Sequence, residues 1–152
     1  MPKVSDIVSV TPQVMASATL TVETGGQGFN DLSRHAASFL RDAAAGDGVL
    51  FLYLRHTSAS LVIQENADPD VQEDLMTALA RLAPERAGWS HDTEGPDDMP
   101  AHIKAMLNGV SLSVPVAGGK AALGTWQAIY LVEHRTMPHS REIVLQFIGS
   151  RN

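Results

Sequence analysis

With 152 residues, 44% of them hydrophobic and 5% aromatic, the chain has the length of one domain and an aliphatic core of Val, Leu, Ile and Ala. A net charge of −6, with eleven Lys and Arg scattered along the chain, argues against general nucleic-acid binding and against adhesion to an anionic membrane. The absence of cysteine excludes disulfides, thiolate nucleophiles and Cys-based metal sites, so any metal must be held by His and carboxylates.

Val14, Ala16, Ala18, Leu20 and Val22 alternate with polar or small residues, the period of a half-buried strand. Gly25, Gly26 and Gly28 break the chain, and Asn30 or Asp31 is placed to cap a helix that shows Leu32, Ala36, Phe39 and Leu40 on one face. Gly46-Asp47-Gly48 is read as the end of that helix, leading into a buried strand over Val49–Leu54 and a second over Leu61–Gln64. Asp68-Pro69 starts the next helix: the carboxylate accepts from a free backbone N–H, and proline fits the first helical position. Pro84 closes it, and the polar stretch 85–98 reads as a functional loop. Asp98 is expected to cap a short helix that stops at Gly109. Leu112, Val114 and Val116 form a strand before the Gly118-Gly119 turn, and strands over Thr125–Glu133 and Arg141–Ile148 close the chain as an antiparallel pair. The result is one α+β domain over residues 1–152, of largely antiparallel sheet with about three helices. No apolar run approaches the roughly 20 residues of a membrane span, and Met1–Val10 resembles neither a signal nor a transit peptide, which points to the cytoplasm.

Motifs with well-known mechanics are missing. Neither glycine cluster has dinucleotide or Walker spacing, and there is no nucleophile elbow or His-Glu-x-x-His helix. The polar run His56-Thr57-Ser58-Ala59-Ser60 is more telling, because it follows a strongly apolar strand. Gln64-Glu65-Asn66-Ala67-Asp68 packs polar groups before a helix N-terminus, where free N–H groups favour anions, although capping alone accounts for Asp68. His91-Asp92 lies in the polar loop and His102 on the short helix, with Asp92, Asp97 and Asp98 available to orient a ligating imidazole. Lys104 reads as a solvated charge, and Arg141 as either a phosphate anchor or a salt-bridge partner. Trp126 in a strand suggests core or interface packing, leaving Gln127 on the opposite face as the better site residue.

Three stretches together resemble the secondary thiamine-phosphate synthase family of YjbQ-like proteins. They are His56–Ser60 with Gln64–Pro69, His91-Asp92 with Asp97–Lys104, and Ser111–Val116 running through Leu123-Gly124-Thr125-Trp126-Gln127 to Glu133-His134-Arg135 and Arg141. The resemblance spans nearly the whole chain from Val14. It implies a homotrimer and a weak, secondary activity that couples hydroxymethylpyrimidine pyrophosphate to thiazole phosphate with loss of pyrophosphate. Residues expected at the reaction are Glu65, Asp98, His102 and Gln127. The phosphorylated heterocycle would be bound by Thr57, Asn66, Asp68, Thr125 and Arg141, and a divalent metal, zinc or magnesium, by His56, His91 and His102. Met99 stands where the family is expected to carry Asn, so one amide contact is absent. The alternative is a non-catalytic trimer that binds a metal or an anionic metabolite; a metal-dependent hydrolase is a third reading.

Overall fold

The structure, a computed structural model, describes residues 1–152. Eight strands and three helices follow in the order β1 (Val14–Glu23), β2 (Gly28–Asp31), α1 (Ser33–Asp42), β3 (Ala45–Leu54), β4 (Ala59–Glu65), α2 (Pro69–Leu82), α3 (Asp98–Asn108), β5 (Ser111–Ala117), β6 (Lys120–Ala121), β7 (Gln127–Glu133) and β8 (Ser140–Arg151). They build a five-stranded sheet in the order β1-β8-β3-β5-β6 and a three-stranded sheet in the order β2-β7-β4, and every pairing is antiparallel. The α+β class read from the sequence is the class observed.

The core lies between the two sheets. Leu50, Leu52 and Leu54 of β3, with Ile143, Leu145 and Phe147 of β8, point inward at period two and meet Leu61, Ile129 and Leu131 from the smaller sheet. Helix α1 closes the gap by inserting Ala36 and Leu40, together with its cap residue Leu32, spaced four apart on one face. The other face of β7 carries Ala128, Tyr130 and Val132 under α2. Strand β7 is thus covered on both sides, which is why it reads as an unbroken apolar run. The outward face of the five-stranded sheet leaves Met15, Phe51, Tyr53 and Ile148 exposed. No helix is long and apolar enough to cross a membrane.

Local expectations hold in part. Asp68 accepts from the Asp70 N–H at 2.9 Å with Pro69 in the first turn, whereas the cap position of α1 is Leu32, with Asp31 one residue before it accepting the Ser33 N–H at 2.8 Å. Others are corrected. Gly46-Asp47-Gly48 does not end α1: the helix stops at Asp42, and these residues form a bulged start of β3, where Gly48 lies against the β8 backbone and a Cβ would meet Ile148 O at 2.1 Å. The short strand β2 lies inside the stretch read as a glycine break and helix cap. Asp97, not Asp98, holds the cap position of α3, without a side-chain cap bond, because its carboxylate is drawn to Arg135 and Thr136. Strands β7 and β8 do not pair as a hairpin; residues 134–139 carry the chain from one sheet to the other. Strand β7 begins at Gln127, since Gly124–Gln127 is a turn closed by Gln127 N–H on Gly124 O and by Gln127 Oε1 on the Gly124 N–H. Trp126 therefore projects from that turn at 64% exposure instead of packing in a strand.

Candidate metal centre

The residues between β3 and β4 and the first turns of α3 meet at one end of the molecule. Asp98, in the first turn of α3, and His102, one turn later, share a helix face. The loop before α3 folds His91 back onto the same carboxylate. Asp98 Oδ2 lies 2.6 Å from His91 Nε2 and 3.1 Å from His102 Nε2, with the imidazole centroids 5.5 Å apart. The three ligand atoms all lie within 4.8 Å of one another.

His102 Nδ1 is 2.9 Å from the Thr57 carbonyl oxygen, which can only accept, so Nδ1 carries the hydrogen. In the neutral ring, Nε2 is then a bare lone pair facing a carboxylate oxygen. Two acceptors at 3.1 Å repel unless a cation lies between them, either a proton on Nε2 or a metal ion. The Nδ1–H bond to a backbone carbonyl is the support that ligating histidines commonly have. An Asp and two imidazoles suit zinc or a similar borderline ion better than magnesium, which prefers oxygen.

The other oxygen of Asp98 is held by Arg135, whose Nη1 donates to Oδ1 at 2.6 Å while its Nε donates to Asp97 Oδ2 at 2.9 Å. Burial alone would raise the Asp98 pKa, but hydrogen bonding, first from His91, and the Arg135 charge outweigh it, and the carboxyl stays below its ordinary range. Asp97 is lowered in the same way, with burial opposed by the Thr136 N–H and Arg135. The anion that would hold a metal is thus fixed in place and kept charged.

Beneath this cluster is a second, fully buried polar group. Glu133 accepts from Thr24 Oγ1 at 2.7 Å, from Arg141 Nε at 2.8 Å and Nη2, and from the His134 and Arg135 backbone N–H groups. Arg141 Nη2 also donates to Ser58 Oγ at 2.9 Å. Arg141, expected as a phosphate anchor or a salt-bridge partner, is 3% exposed, with its guanidinium bonded to Glu133 and Ser58 as a buried counter-ion. Lys104 is likewise buried, not solvated; burial lowers its pKa, partly offset by Glu85 and Asp97. His134 is fully buried beside it, with Nε2 2.9 Å from Ser60 Oγ and Nδ1 without a partner. Burial, reinforced by the Lys104 charge, pushes its pKa down to about 4.

The expected site residues divide into two groups. Thr57, His91, Asp98 and His102 converge as described. His56 stays apart from the cluster: its Nε2 accepts the Glu142 N–H at 2.8 Å, and its ring lines an adjoining cavity of about 630 Å³ with Tyr53, Arg55, Thr57, His102 and Met106. Burial, followed by the Arg141 charge, lowers the His56 pKa. The second group, Glu65, Asn66, Asp68, Thr125 and Gln127, lies at the opposite end of the seven-residue β4, about 20 Å away at the rise of a strand. Here Glu65 Oε2 accepts the Ala67 and Asp68 N–H groups, and Asn66 Nδ2 reaches Thr125 O at 3.4 Å. Reading by residue type missed Arg135 and Glu133 as parts of the site, although it named Asp97 as a carboxylate available to support it. The signal was the charged run Glu133-His134-Arg135 directly after five apolar residues of a buried strand, where charges persist only if paired.

Comparison with known proteins is consistent across sequence and structure. Residues 18–150 match the family described as UPF0047 protein YjbQ-like. A UPF0047 protein YjbQ of Escherichia coli O157:H7 is 42% identical over 132 residues, covering 86% of this chain and 96% of the relative. A UPF0047 protein of Synechocystis is 42% identical over 131 residues, covering 86% and 89%. The crystal structure of a YjbQ/UPF0047 family protein from Clostridium acetobutylicum superposes with a TM-score of 0.80 at 32% identity, over 86% of this chain and 98% of that one. A hypothetical protein from Aeropyrum pernix K1 gives 0.82 at 29% identity, over 89% and 99%.

Proposed function

This chain belongs to the UPF0047 family of YjbQ-like proteins, and from that premise we propose that His91, Asp98 and His102 hold a divalent metal, zinc by preference, at the centre of an enzyme acting on a phosphorylated small molecule. The observation that carries the reading is the convergence of His91 Nε2 and His102 Nε2 on one Asp98 oxygen, at 2.6 and 3.1 Å, with the three ligand atoms within 4.8 Å of one another. A bound ion there supplies Lewis acidity and countercharge for a phosphate or a departing pyrophosphate. The protein's own groups have distinct tasks. Thr57 fixes the His102 tautomer, Arg135 keeps Asp98 ionised, and Arg55 and His56 line the cavity where the substrate lies beside His102.

The specific reaction is thiamine phosphate formation from hydroxymethylpyrimidine pyrophosphate and thiazole phosphate, in the cytoplasm. It rests on the sequence resemblance. With Arg141 and Lys104 buried, the phosphates' countercharge falls to the metal and Arg55. Purified protein supplied with both substrates is expected to release pyrophosphate, and to stop when chelator is added or when His102 is changed to Ala. Absent turnover, or turnover indifferent to both changes, overturns the synthase reading. That same shortage of free cations favours the second reading, a metal- or metabolite-binding module without turnover. Such a protein would show ligand-dependent thermal stabilisation and no product.

The assembly we propose is a homotrimer that covers the outward face of the five-stranded sheet. Met15, Phe51, Tyr53 and Ile148 form an apolar strip there that a lone subunit leaves in water. Sedimentation equilibrium is expected to give three times the 16.3 kDa chain mass, and Phe51→Lys to give monomer. A monomeric parent protein contradicts this.

A further inference from the structure

A second cavity lies at the start of β3, about 30 Å from the histidine cluster by the rise of a ten-residue strand. It is a half-open cleft of about 450 Å³ between α1, the first residues of β3 and the β5–β6 turn. Its floor is apolar, made by the fully buried Leu40 and Ile129. Its walls are small residues, chiefly Ala36, Ala44, Gly118 and Gly119, which leave open a space that larger side chains would fill. A cleft of this size, with an apolar floor and polar groups at its rim, has the make-up of a small-ligand site.

Three backbone irregularities meet at this cavity. Ala44 has φ 51, the one non-glycine residue of the chain with positive φ. The pairing of β3 with β8 slips between Ala45 and Gly48. Gly118 and Gly119 turn through φ 57 and 77. Strained backbone and bulges gather at ligand sites because the surrounding structure holds them for a purpose other than stability.

Two cations, Arg41 and Lys120, stand on the lining. Neither has a carboxylate within 4.0 Å, and the Arg41 guanidinium makes one side-chain bond, to Ser38 Oγ at 3.1 Å. On a chain of net charge −6, a pair of unpaired cations above an apolar hollow selects an anion with an apolar body. We propose that this cavity binds a small phosphate monoester, its ring or short chain in the hollow and its dianionic head between Arg41 and Lys120. Two positive groups match a dianion better than a carboxylate, and the volume lies at the small end of ligand pockets. Leu123 lines the same cavity and runs directly into the Gly124–Gln127 turn, so an occupant touches the segment carrying Thr125 and Gln127. This site stands independently of the metal centre.

The test is calorimetric titration of the full chain with phenyl phosphate. Saturable one-to-one binding is expected. Arg41→Gln and Lys120→Gln should each weaken it roughly 10- to 100-fold, the usual loss for a hydrogen bond to a charged group. Ala37→Leu, an exposed helix position on the cavity lining, should abolish binding while the circular dichroism stays unchanged. His102→Ala should leave binding intact, which separates this site from the metal centre. The proposal fails if inorganic phosphate binds as well as phenyl phosphate, or if binding is lost with His102 and kept without Arg41. It also fails if the dissociation constant is weaker than about 10 mM.

Discussion

Replacing Arg141 by Met tests whether this arginine is a structural counter-ion. In the folded protein its guanidinium gives two bonds to Glu133 and one to Ser58 Oγ, and both charged groups are buried. Removing the cation leaves the Glu133 carboxylate with Thr24 Oγ1 and two backbone N–H groups as its only donors. Breaking a buried pair from one side costs about 3–5 kcal/mol, because the remaining charge stays desolvated. For a chain of this length that corresponds to a fall in Tm of roughly 6–20 °C, at about 2–4 °C per kcal/mol. Adding Glu133→Gln to Arg141→Met should recover part of the loss, since the orphaned charge is then gone. The pH dependence has a definite sign. In the parent protein Glu133 has a lowered pKa despite burial, held down by Arg141 and Thr24, so its contribution is present above the ordinary Glu pKa and lost as pH falls through the folded value. Without Arg141, burial is opposed only by Thr24 and the backbone N–H groups and the folded pKa rises, so Arg141→Met should lose most stability near pH 7 and less near pH 5. Urea unfolding followed by far-UV circular dichroism at the two pH values measures this. A variant within about 1 kcal/mol of the parent, with a deficit that does not change with pH, would refute the buried-pair account.

Other consequences are smaller. Asp68→Ala removes the side-chain cap of α2 and is expected to cost about 1 kcal/mol in urea unfolding, identifying Asp68 as a cap. Ala44→Gly relieves a left-handed alanine worth about 1–2 kcal/mol but loosens the unfolded chain by about 0.4–1 kcal/mol, so a net gain of roughly 0.5–1 kcal/mol is expected. His134, with its pKa pushed down to about 4, should keep a neutral ring at pH 5.5 in nitrogen-resolved NMR. Because the unfolded ring takes up its proton near 6.5, stability supplied by neutral His134 is full above that pH and is lost as pH falls toward 4.

Much of the fold could be read where the determinants are local. The alternation of β1 and the Asp68-Pro69 start of α2 are written in neighbouring residues, and both elements appear where expected. What escaped depends on distant partners. Strand β2 has only four residues and owes its existence to pairing with β7, about a hundred positions later. Strands β7 and β8 follow each other in the chain and look like a hairpin, yet burial on both faces of β7 assigns them to different sheets. The same division applies to the site. His91, Asp98 and His102 were recognisable by type, but only the fold shows that they converge while His56 turns to the Glu142 backbone. Lys104 and Arg141 looked available because long cations usually are; paired or packed against a buried strand, both are enclosed.

The measurement that bears most directly on the central claim is cobalt(II) titration of the metal-stripped protein, followed by its visible d–d absorption. One equivalent per chain should give a saturable band, abolished by His91→Ala and by His102→Ala and kept in His56→Ala and Glu65→Ala. A protein that binds no cobalt with one-to-one stoichiometry, or whose binding depends on His56 as much as on His102, would contradict the metal centre described here.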